Sequence, residues 1–217
     1  MRISFRANIP KNINPIYTTE KSKDNTVAIL GSSKAAEDIL SYMDICSSSA
    51  KAIILSGKNI VHGCGNQGIM GEAYKAGFEY SKKDENAKPI QNLAILSNPL
   101  WGDEDIEHCL PIVIAEDEAD RIKKFAQVAN AIVIFPGSAG TLQEATTLIS
   151  KNYYGKPEEK KKIILVGSDF FKGLIKQYHK LYKTGLINCP PEKLFNIADS
   201  KEEVMKLLNR NTDSKNT

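Results

Sequence analysis

Short apolar runs alternate with segments of helical periodicity along most of the chain. Runs of this kind are typical of buried strands when amphipathic helical segments lie between them. We expect strands at 26–33, 59–63, 93–98, 112–115, 131–135, 162–167 and 194–198. Strands that alternate with helices predict βαβ units. The pattern therefore indicates an α/β fold whose mostly parallel sheet is covered by helices on both faces.

The two ends of the chain lack this periodicity. Residues 1–24 contain two prolines and several asparagines and lysines, and we expect them to form a flexible N-terminal arm. Residues 211–217 have the composition of a polar tail. Residues 25–210 are then predicted to form a single domain, which suits a chain of 217 residues.

Composition and charge exclude several classes of protein. The net charge of +3 is too small to indicate nucleic-acid binding, and no stretch approaches the ~20 apolar residues of a spanning helix. The four cysteines and three histidines show no metal-ligand spacing, so we expect no metal site. Scattered cysteines of this kind fit reduced thiols, and we expect a cytoplasmic protein that binds neither nucleic acid nor membrane.

Three of the loops that follow predicted strands are rich in glycine or serine. They are "GSS" at 31–33, "GCGNQGIMG" at 63–71 and "PGSAGT" at 136–141. Ligands bind to parallel sheets outside the carboxyl ends of the strands, and glycine lets a backbone come close to a phosphate. Four glycines in nine residues at 63–71 exceed what a turn needs. The serines at 31–33 either contact a nucleotide or cap the first helix.

The stretch 136–141 has two interpretations. Its glycines and the following helix N-terminus can form a phosphate or oxyanion cradle, to which Thr141 adds a hydroxyl. Alternatively, Thr141 and Glu144 form a capping box that only starts a helix. A capping Glu144 reaches back to the backbone of Thr141, whereas a catalytic one points into a cleft. The stretch matches neither the P-loop nor the dinucleotide-binding pattern.

Arg121 lies on a predicted helix among acidic residues. An arginine with such neighbours is ordinarily a solvated ion-pair partner. On its own, this position gives no indication of function.

Four ordered motifs between about residues 26 and 209 together resemble the Lonely Guy family. "PGSAGTLQE" resembles the family's P-G-G-x-G-T-x-x-E, and Arg121 precedes Glu144 by the family's own spacing of 23 residues. "GCGNQGIMG" is similar to its G-G-G-x-x-G-L-M-G stretch. "VAILGSS" and "FNIADSKEEVMKLL" resemble its opening strand and its usual end.

The resemblance implies a Rossmann-like, doubly wound fold and a homodimer. Characterised members of the family are phosphoribohydrolases that cleave the N-glycosidic bond of a nucleoside 5′-monophosphate; cytokinin riboside monophosphates are the best-known substrates. Arg121 and Glu144 would be catalytic, and no cofactor would be needed. The substrate and its phosphate would be held by Gly31, Ser32, Gly65, Gly68, Met70, Gly137, Ser138, Ala139, Gly140 and Thr141.

Three positions depart from the family pattern. Ser138 replaces the second glycine of P-G-G, and Cys64 replaces the middle glycine of G-G-G. Ile122 stands where a lysine often follows the arginine, with Lys123 one place on. The first two side chains would crowd a phosphate or shift the substrate preference, and Ser138 could instead donate a hydrogen bond.

The sequence leaves three alternative functions open. Some relatives resemble molybdenum-cofactor carriers, which need not keep the Arg121–Glu144 pair. The label lysine decarboxylase, often attached to the family, requires pyridoxal phosphate on a lysine; "YHKLY" contains His179-Lys180, but its position within a predicted helix is typical of a solvated basic face. The third is an α/β domain that acts only through partners, which nothing but the basic arm favours.

Overall fold

The computed structural model describes residues 25–81, 92–97 and 112–210. The predicted arm, the polar tail and the loop around Trp101 lie outside these ranges. Seven strands of the described residues form one sheet. They are β1 Thr26–Leu30, β2 Asn59–His62, β3 Asn92–Ser97, β4 Ile112–Ala115, β5 Ala131–Ile134, β6 Lys162–Val166 and β7 Asn196–Ala198.

The strand order is β4-β3-β2-β1-β5-β6-β7, and every neighbouring pair is parallel. The described sheet is thus wholly rather than mostly parallel. The chain builds outward from β1 on one side and then returns to add β5 on the other. This reversal is the topological switch point of a doubly wound fold, and it lies between β1 and β5. The predicted Rossmann-like α/β class is confirmed.

Helices cover the sheet on both faces. They are α1 Leu40–Leu55, α2 Gly68–Ser81, α3 Glu118–Val128, α4 Ala139–Tyr154, α5 Lys172–Lys183 and α6 Lys201–Asn209. Single 3-10 turns lie at Glu37–Ile39, Pro157–Glu159 and Pro191–Lys193. Within the described part of the chain, no helix combines the length and apolar character that crossing a membrane requires.

Alternate residues of the central strands enter opposite halves of the core. Ala28 and Leu30 of β1 pack with α3, α4 and α5, whereas Val27 and Ile29 pack with α1, α2 and α6. All four side chains are buried, because a parallel strand between two helical layers has no face in water. This two-sided burial explains why the strands form continuous apolar runs in the sequence.

Two helices begin earlier than the sequence pattern predicts. The segment Gly68–Gly71, expected as part of a turn, is already the first turn of α2. Likewise, α4 begins at Ala139 with Ser138 as its N-cap, so Thr141 is not the capping residue. The predicted capping box of Thr141 and Glu144 is therefore wrong.

The last helix begins with a side-chain cap. Ser200 is the N-cap of α6, and its hydroxyl accepts a hydrogen bond from the backbone N–H of Glu203 at 3.2 Å. The neighbouring Asp199 accepts the N–H of Ser168 and donates its own N–H to the Glu203 carboxylate.

The cysteines are not uniformly reduced, in contrast to the expectation from sequence. Cys64 takes part in a disulfide bond, whereas Cys46 and Cys189 are free thiols. The remaining cysteine, Cys109, lies outside the described residues. Scattered sequence positions gave no sign of this bond, because a disulfide depends on proximity in the fold rather than on spacing.

Replacing Ser49 with alanine should stabilise the fold. Its hydroxyl is fully buried in α1 and is, among the described residues, a buried side-chain group without a hydrogen-bond partner. Removing an unsatisfied buried hydroxyl from a helix is expected to raise the free energy of unfolding by about 1–2 kcal/mol. Urea denaturation measures the change. Ser48→Ala is the matched control, because the Ser48 hydroxyl already donates to the Ile45 carbonyl; equal gains in both variants would contradict the argument.

Candidate functional site

The carboxyl ends of β2, β1 and β5 bring the three glycine- and serine-rich loops together. Ser32, in the loop after β1, is the centre of this junction. Its N–H donates to the carbonyl of Pro136 at 3.0 Å, and its carbonyl accepts from the N–H of Met70 at 3.1 Å. Because β1 lies between β2 and β5, one short loop can bond to both neighbours. The three sequence motifs thus form one surface at the switch point.

Three of the predicted site glycines are required by contacts between these loops. A Cβ at Gly31 would lie within 3 Å of Ile69, and one at Gly68 would lie 2.6 Å from the Ser32 carbonyl oxygen. A Cβ at Gly137 would meet the Thr141 side chain and would lie 2.9 Å from the Ser32 nitrogen. These glycines therefore have a structural role in loop packing, whatever ligand the surface binds.

Gly140 has no such structural requirement. The nearest atom to a Cβ built there is the Ser138 hydroxyl at 3.8 Å, and its φ lies outside the left-handed region. Glycine within a helix is about 1 kcal/mol less favourable than alanine. The space above Gly140 is therefore open, and a ligand could approach the backbone closely there.

The first turn of α4 presents backbone N–H groups to this open space. Ser138 is exposed, has extended backbone angles and makes no side-chain capping bond. Its negative φ of −81° suits serine as well as glycine, so the departure from the family's P-G-G leaves the backbone unstrained. Thr141 is buried behind the turn, against Gly137.

Arg121 is buried, with 5% of its surface exposed, and is not the solvated residue that its acidic neighbours indicate. It lies in the first turns of α3, whose N-cap Asp117 accepts the N–H of Asp120. The Nη2 atom donates to the Gly63 carbonyl at 3.1 Å, and Nη1 lies 3.6 Å from the Glu118 carboxylate. The guanidinium therefore connects α3 to the loop after β2.

Gly63 makes this arrangement possible. A Cβ on Gly63 would overlap both the guanidinium of Arg121 and the sulfur of Met70. The absence of a side chain at this position leaves the space that the arginine occupies. Gly63 was not among the predicted site residues, although it is the first glycine of the motif that contains them.

Glu144 projects from α4 and is 7% exposed. Burial raises the pKa of its carboxyl group from 4.5 to about 7, against the opposing attraction of Arg121 and with a smaller contribution from the negative charge of Glu118. A carboxyl group with such a pKa changes its protonation state near neutral pH. This property suits a group that holds or moves a proton.

Glu118 is a second functional candidate that the sequence did not single out. Its side chain is 39% exposed, it pairs with Arg121, and its charge raises the pKa of Glu144. It was hidden among several acidic residues, which are ordinarily solvated. Only the fold places its charge near the buried carboxyl group.

Glu118→Gln is expected to lower the pKa of Glu144. If the ionised Glu144 is the active form, the acidic limb of the kcat/KM profile should move to lower pH by about half a unit. The measurement is a pH–rate profile against the unmodified protein. Glu116→Gln, the same charge change at an exposed residue two positions away, should leave the limb in place. A shift to higher pH with Glu118→Gln would contradict the electrostatic account.

The structure brings most of the predicted site residues into one region. Direct contacts join Arg121, Met70 and Gly63, and others join Ser32, Gly68 and Gly137. Gly65, at a φ of +123°, allows the turn into α2, while Ala139 is exposed at the start of α4. Among the residues that the structure describes, no group of three or more His, Cys, Asp or Glu side chains is placed to hold a metal.

Solved structures similar to this chain share its fold at low sequence identity. The molybdenum cofactor binding protein from Rippkaea orientalis is 17% identical, with a TM-score of 0.59 over 84% of this chain and 94% of that protein. The molybdenum cofactor carrier protein of Chlamydomonas reinhardtii is also 17% identical, with a TM-score of 0.54 over 84% and 97%. The structural-genomics target TM1055 is 16% identical, with a TM-score of 0.61 over 85% and 98%.

The family comparison is more specific than these structural likenesses. No curated protein matches the sequence. The family model described as "Possible lysine decarboxylase" matches residues 66–208, which is more than half of the chain. This range contains the end of the loop after β2, Arg121, the loop after β5 and Glu144. The chain therefore belongs to this lysine-decarboxylase-like family, also called the Lonely Guy family.

Proposed function

We propose that this protein is a nucleoside 5′-monophosphate phosphoribohydrolase. The observation that carries the proposal is a buried carboxyl group, Glu144, with a pKa of about 7, held near the buried Arg121 at the switch point of the sheet. Membership of the Lonely Guy family supports the same assignment. A cytokinin nucleotide is one candidate substrate, and ordinary purine monophosphates are others.

The 5′-phosphate would bind at the first turn of α4. There, Ser138, Ala139, Gly140 and Thr141 present backbone N–H groups at the positive end of the helix dipole. Gly140 supports this placement, because the protein itself gives no packing or conformational reason for glycine there. The exposed hydroxyl of Ser138 would add a donor that glycine lacks.

Glu144 would then act on the ribose. Cleavage of the bond between C1′ and the base nitrogen leaves its electron pair on the base and builds positive charge on the sugar, as in glycoside hydrolysis. The ionised carboxylate stabilises that charge and accepts a proton from the attacking water, whose oxygen bonds to C1′. The departing base takes up a proton from solvent, Glu144 returns its own proton to solvent, and the products are free base and ribose 5-phosphate. Arg121 would hold the phosphate or orient the carboxylate.

Two of the three alternatives from the sequence can be compared with this proposal, and both are less well supported. A molybdenum-cofactor carrier is favoured by two of the structural likenesses, but their identity of 17% shows the fold alone. A carrier also has no need of a buried carboxyl group that titrates near neutral pH. For a decarboxylase, the dipeptide His179-Lys180 would have to supply the cofactor lysine, yet Lys180 is exposed on α5 and His179 lies 3.5 Å from the Glu192 carboxylate.

The direct test is incubation with AMP, GMP, CMP and isopentenyl-adenosine monophosphate. Chromatography would detect free base, and a reducing-sugar assay would detect ribose 5-phosphate. We expect release from at least one nucleotide and none from the matching nucleoside, because the nucleoside lacks the phosphate that α4 would bind. Absence of release from all four, with tight nucleotide binding retained, would favour the carrier.

A homodimer is part of the proposal, and α4 carries a surface suited to it. Leu142 and Tyr154 are exposed large side chains on one stripe of the helix, with Thr146 and Ser150 between them at intervals of four residues. A stripe of this kind, with a large exposed side chain at each end and small side chains between them, is a candidate contact for a second copy. Tyr154→Arg should therefore shift the sedimentation profile towards monomer at micromolar concentration, whereas Lys156→Glu beyond the helix end should not. A profile unchanged by Tyr154→Arg would remove this surface from the interface.

A further inference from the structure

His62 is the last residue of β2 and is fully buried, yet the proposed chemistry does not use it. Its Nδ1 atom accepts a hydrogen bond from the backbone N–H of Cys64 at 3.0 Å. The ring also packs edge to face with Tyr74, at 6.2 Å between centroids. A side-chain acceptor that bonds to the N–H two residues on has the pattern of an Asx turn, with an imidazole nitrogen in place of the carboxamide oxygen.

The turn held by this bond is conformationally unfavourable. Cys64 has a φ of 63°, and it is a non-glycine residue with positive φ in the described part of the chain. Side chains at such angles are disfavoured, so a cysteine persists there only where the surroundings hold it. The bond from Cys64 to His62 is one such restraint on the chain where the family pattern has glycine.

The same turn is in direct contact with Arg121. Gly63 stands between His62 and Cys64, and its carbonyl accepts the Nη2 of Arg121. The space above its Cα is filled by the guanidinium and by Met70. A rotation of the peptide group between Gly63 and Cys64 would therefore withdraw the Gly63 carbonyl from Arg121 and bring the backbone against the guanidinium.

We propose that His62 is a positioning residue, which sets the orientation of Arg121 through the turn at Gly63 and Cys64. The proposal rests on the proposed function for its effect on turnover, but not for its effect on Arg121 itself. It requires that Nδ1 of His62 carries no proton, since a protonated nitrogen cannot accept the Cys64 N–H. The imidazole ring must then be neutral, with its proton on Nε2. A ring protonated on Nδ1 would be displaced from the turn.

Two substitutions of His62, each of which matches one ring nitrogen in position, distinguish a positioning role of this residue from a packing role. In His62→Asn the amide oxygen lies where Nδ1 lies and can accept the Cys64 N–H, as in an ordinary Asx turn. In His62→Gln the amide is one carbon further out, near the position of Nε2, and the turn loses its acceptor. Both residues are polar and of similar size, so a general effect of replacing a buried histidine would appear in both. Tyr74→Leu removes the ring contact while keeping the histidine, and serves as the packing control.

The experiment has one readout in turnover and one that needs no substrate. We expect His62→Gln to lower kcat about tenfold with KM changed less than threefold, because a misplaced catalytic group affects turnover more than binding. His62→Asn should retain kcat within about threefold, and Tyr74→Leu should lower the melting temperature while leaving kcat unchanged. In the second readout, carbon-13 NMR of the Glu144 carboxyl should show a higher pKa in His62→Gln alone, since displaced Arg121 no longer lowers it.

The outcomes distinguish this proposal from the proposed function. Equal kcat and equal Glu144 pKa in the Asn and Gln variants would overturn the positioning role. If no nucleotide is hydrolysed by the unmodified protein, the proposed function fails, and the carboxyl pKa of the three variants still decides the role of His62. A protonated Nδ1, identified by nitrogen-15 NMR of the imidazole in the unmodified protein, would also refute it.

Discussion

Replacing Glu144 with glutamine is expected to abolish hydrolysis and, at the same time, to stabilise the folded protein above neutral pH. Glutamine has nearly the shape of glutamate but cannot accept a proton from water or balance the charge of the sugar. Loss of such a group should lower kcat by at least about 10³. The loss of turnover should not be accompanied by loss of nucleotide binding, because the proposed phosphate contacts lie at the start of α4.

The stability change follows from the raised pKa of Glu144. Between pH 4.5 and about 7 the unfolded chain has released this proton while the folded protein still holds it, so folding stability falls as the pH rises through this window. Above pH 7 the folded protein bears the full cost of ionising the buried Glu144 carboxyl group. This cost is about 3 kcal/mol, on the scale of about 1.4 kcal/mol per pH unit. Glutamine has no such penalty, and the gain of the variant over the unmodified protein should therefore grow from pH 5 to pH 8.

Urea denaturation at these two pH values measures the effect. Glu158→Gln, at an exposed residue, removes the same charge and should change neither stability nor turnover appreciably. If Glu144→Gln gained as much stability at pH 5 as at pH 8, the ionised Glu144 carboxylate would not be the source of the destabilisation. Full retention of turnover would remove Glu144 from the mechanism.

Arg121→Met is expected to impair turnover almost as strongly. Methionine preserves the length and much of the packing against Phe125 but removes the charge and the donor to Gly63. We expect kcat/KM to fall by about 10² to 10³, the scale on which a fixed catalytic donor acts. The Gly63 carbonyl then loses its donor, which should destabilise the fold by about 1–3 kcal/mol.

The pH dependence gives this second prediction a distinctive signature. Arg121 holds the pKa of Glu144 down, so its removal should raise that pKa further and move the acidic limb of the residual activity to higher pH. Arg121→Lys keeps the charge without the planar fork, and should restore the position of the limb but not the full rate. Lys123→Met, on the exposed side of α3, is the matched control for loss of a positive charge. A limb that does not move in Arg121→Met would contradict the coupling between the two groups.

The fold was more accessible from the sequence than the site. Buried parallel strands are apolar on both faces, so the run "TVAIL" identified β1 directly. The helix starts at Gly68 and Ala139 were placed too late because glycines were taken to mark turns. Gly68 nevertheless belongs to the first turn of α2, where a φ of +59° and the nearby Ser32 carbonyl exclude other residues.

The details of the site depend on contacts between residues far apart in the chain. Acidic neighbours indicate a solvated arginine at position 121, and only the missing side chain of Gly63 makes room for its burial. The family resemblance identified Arg121 and Glu144 as a pair, but not Glu118, whose effect is electrostatic. His62 gave no signal, because an isolated histidine at the end of a strand matches no motif.

The strand order also has a consequence for how the protein folds. The candidate site lies where β1 meets β5, and Val27 pairs with Ala131 across a stretch of sequence that contains β2, β3 and β4. Contacts so distant in sequence close slowly, because the loop entropy is lost before the pairing is gained. Neither half of the chain can form the proposed nucleotide site alone. Catalytic competence should thus emerge only in the last kinetic phase of refolding, after helical circular dichroism has largely recovered.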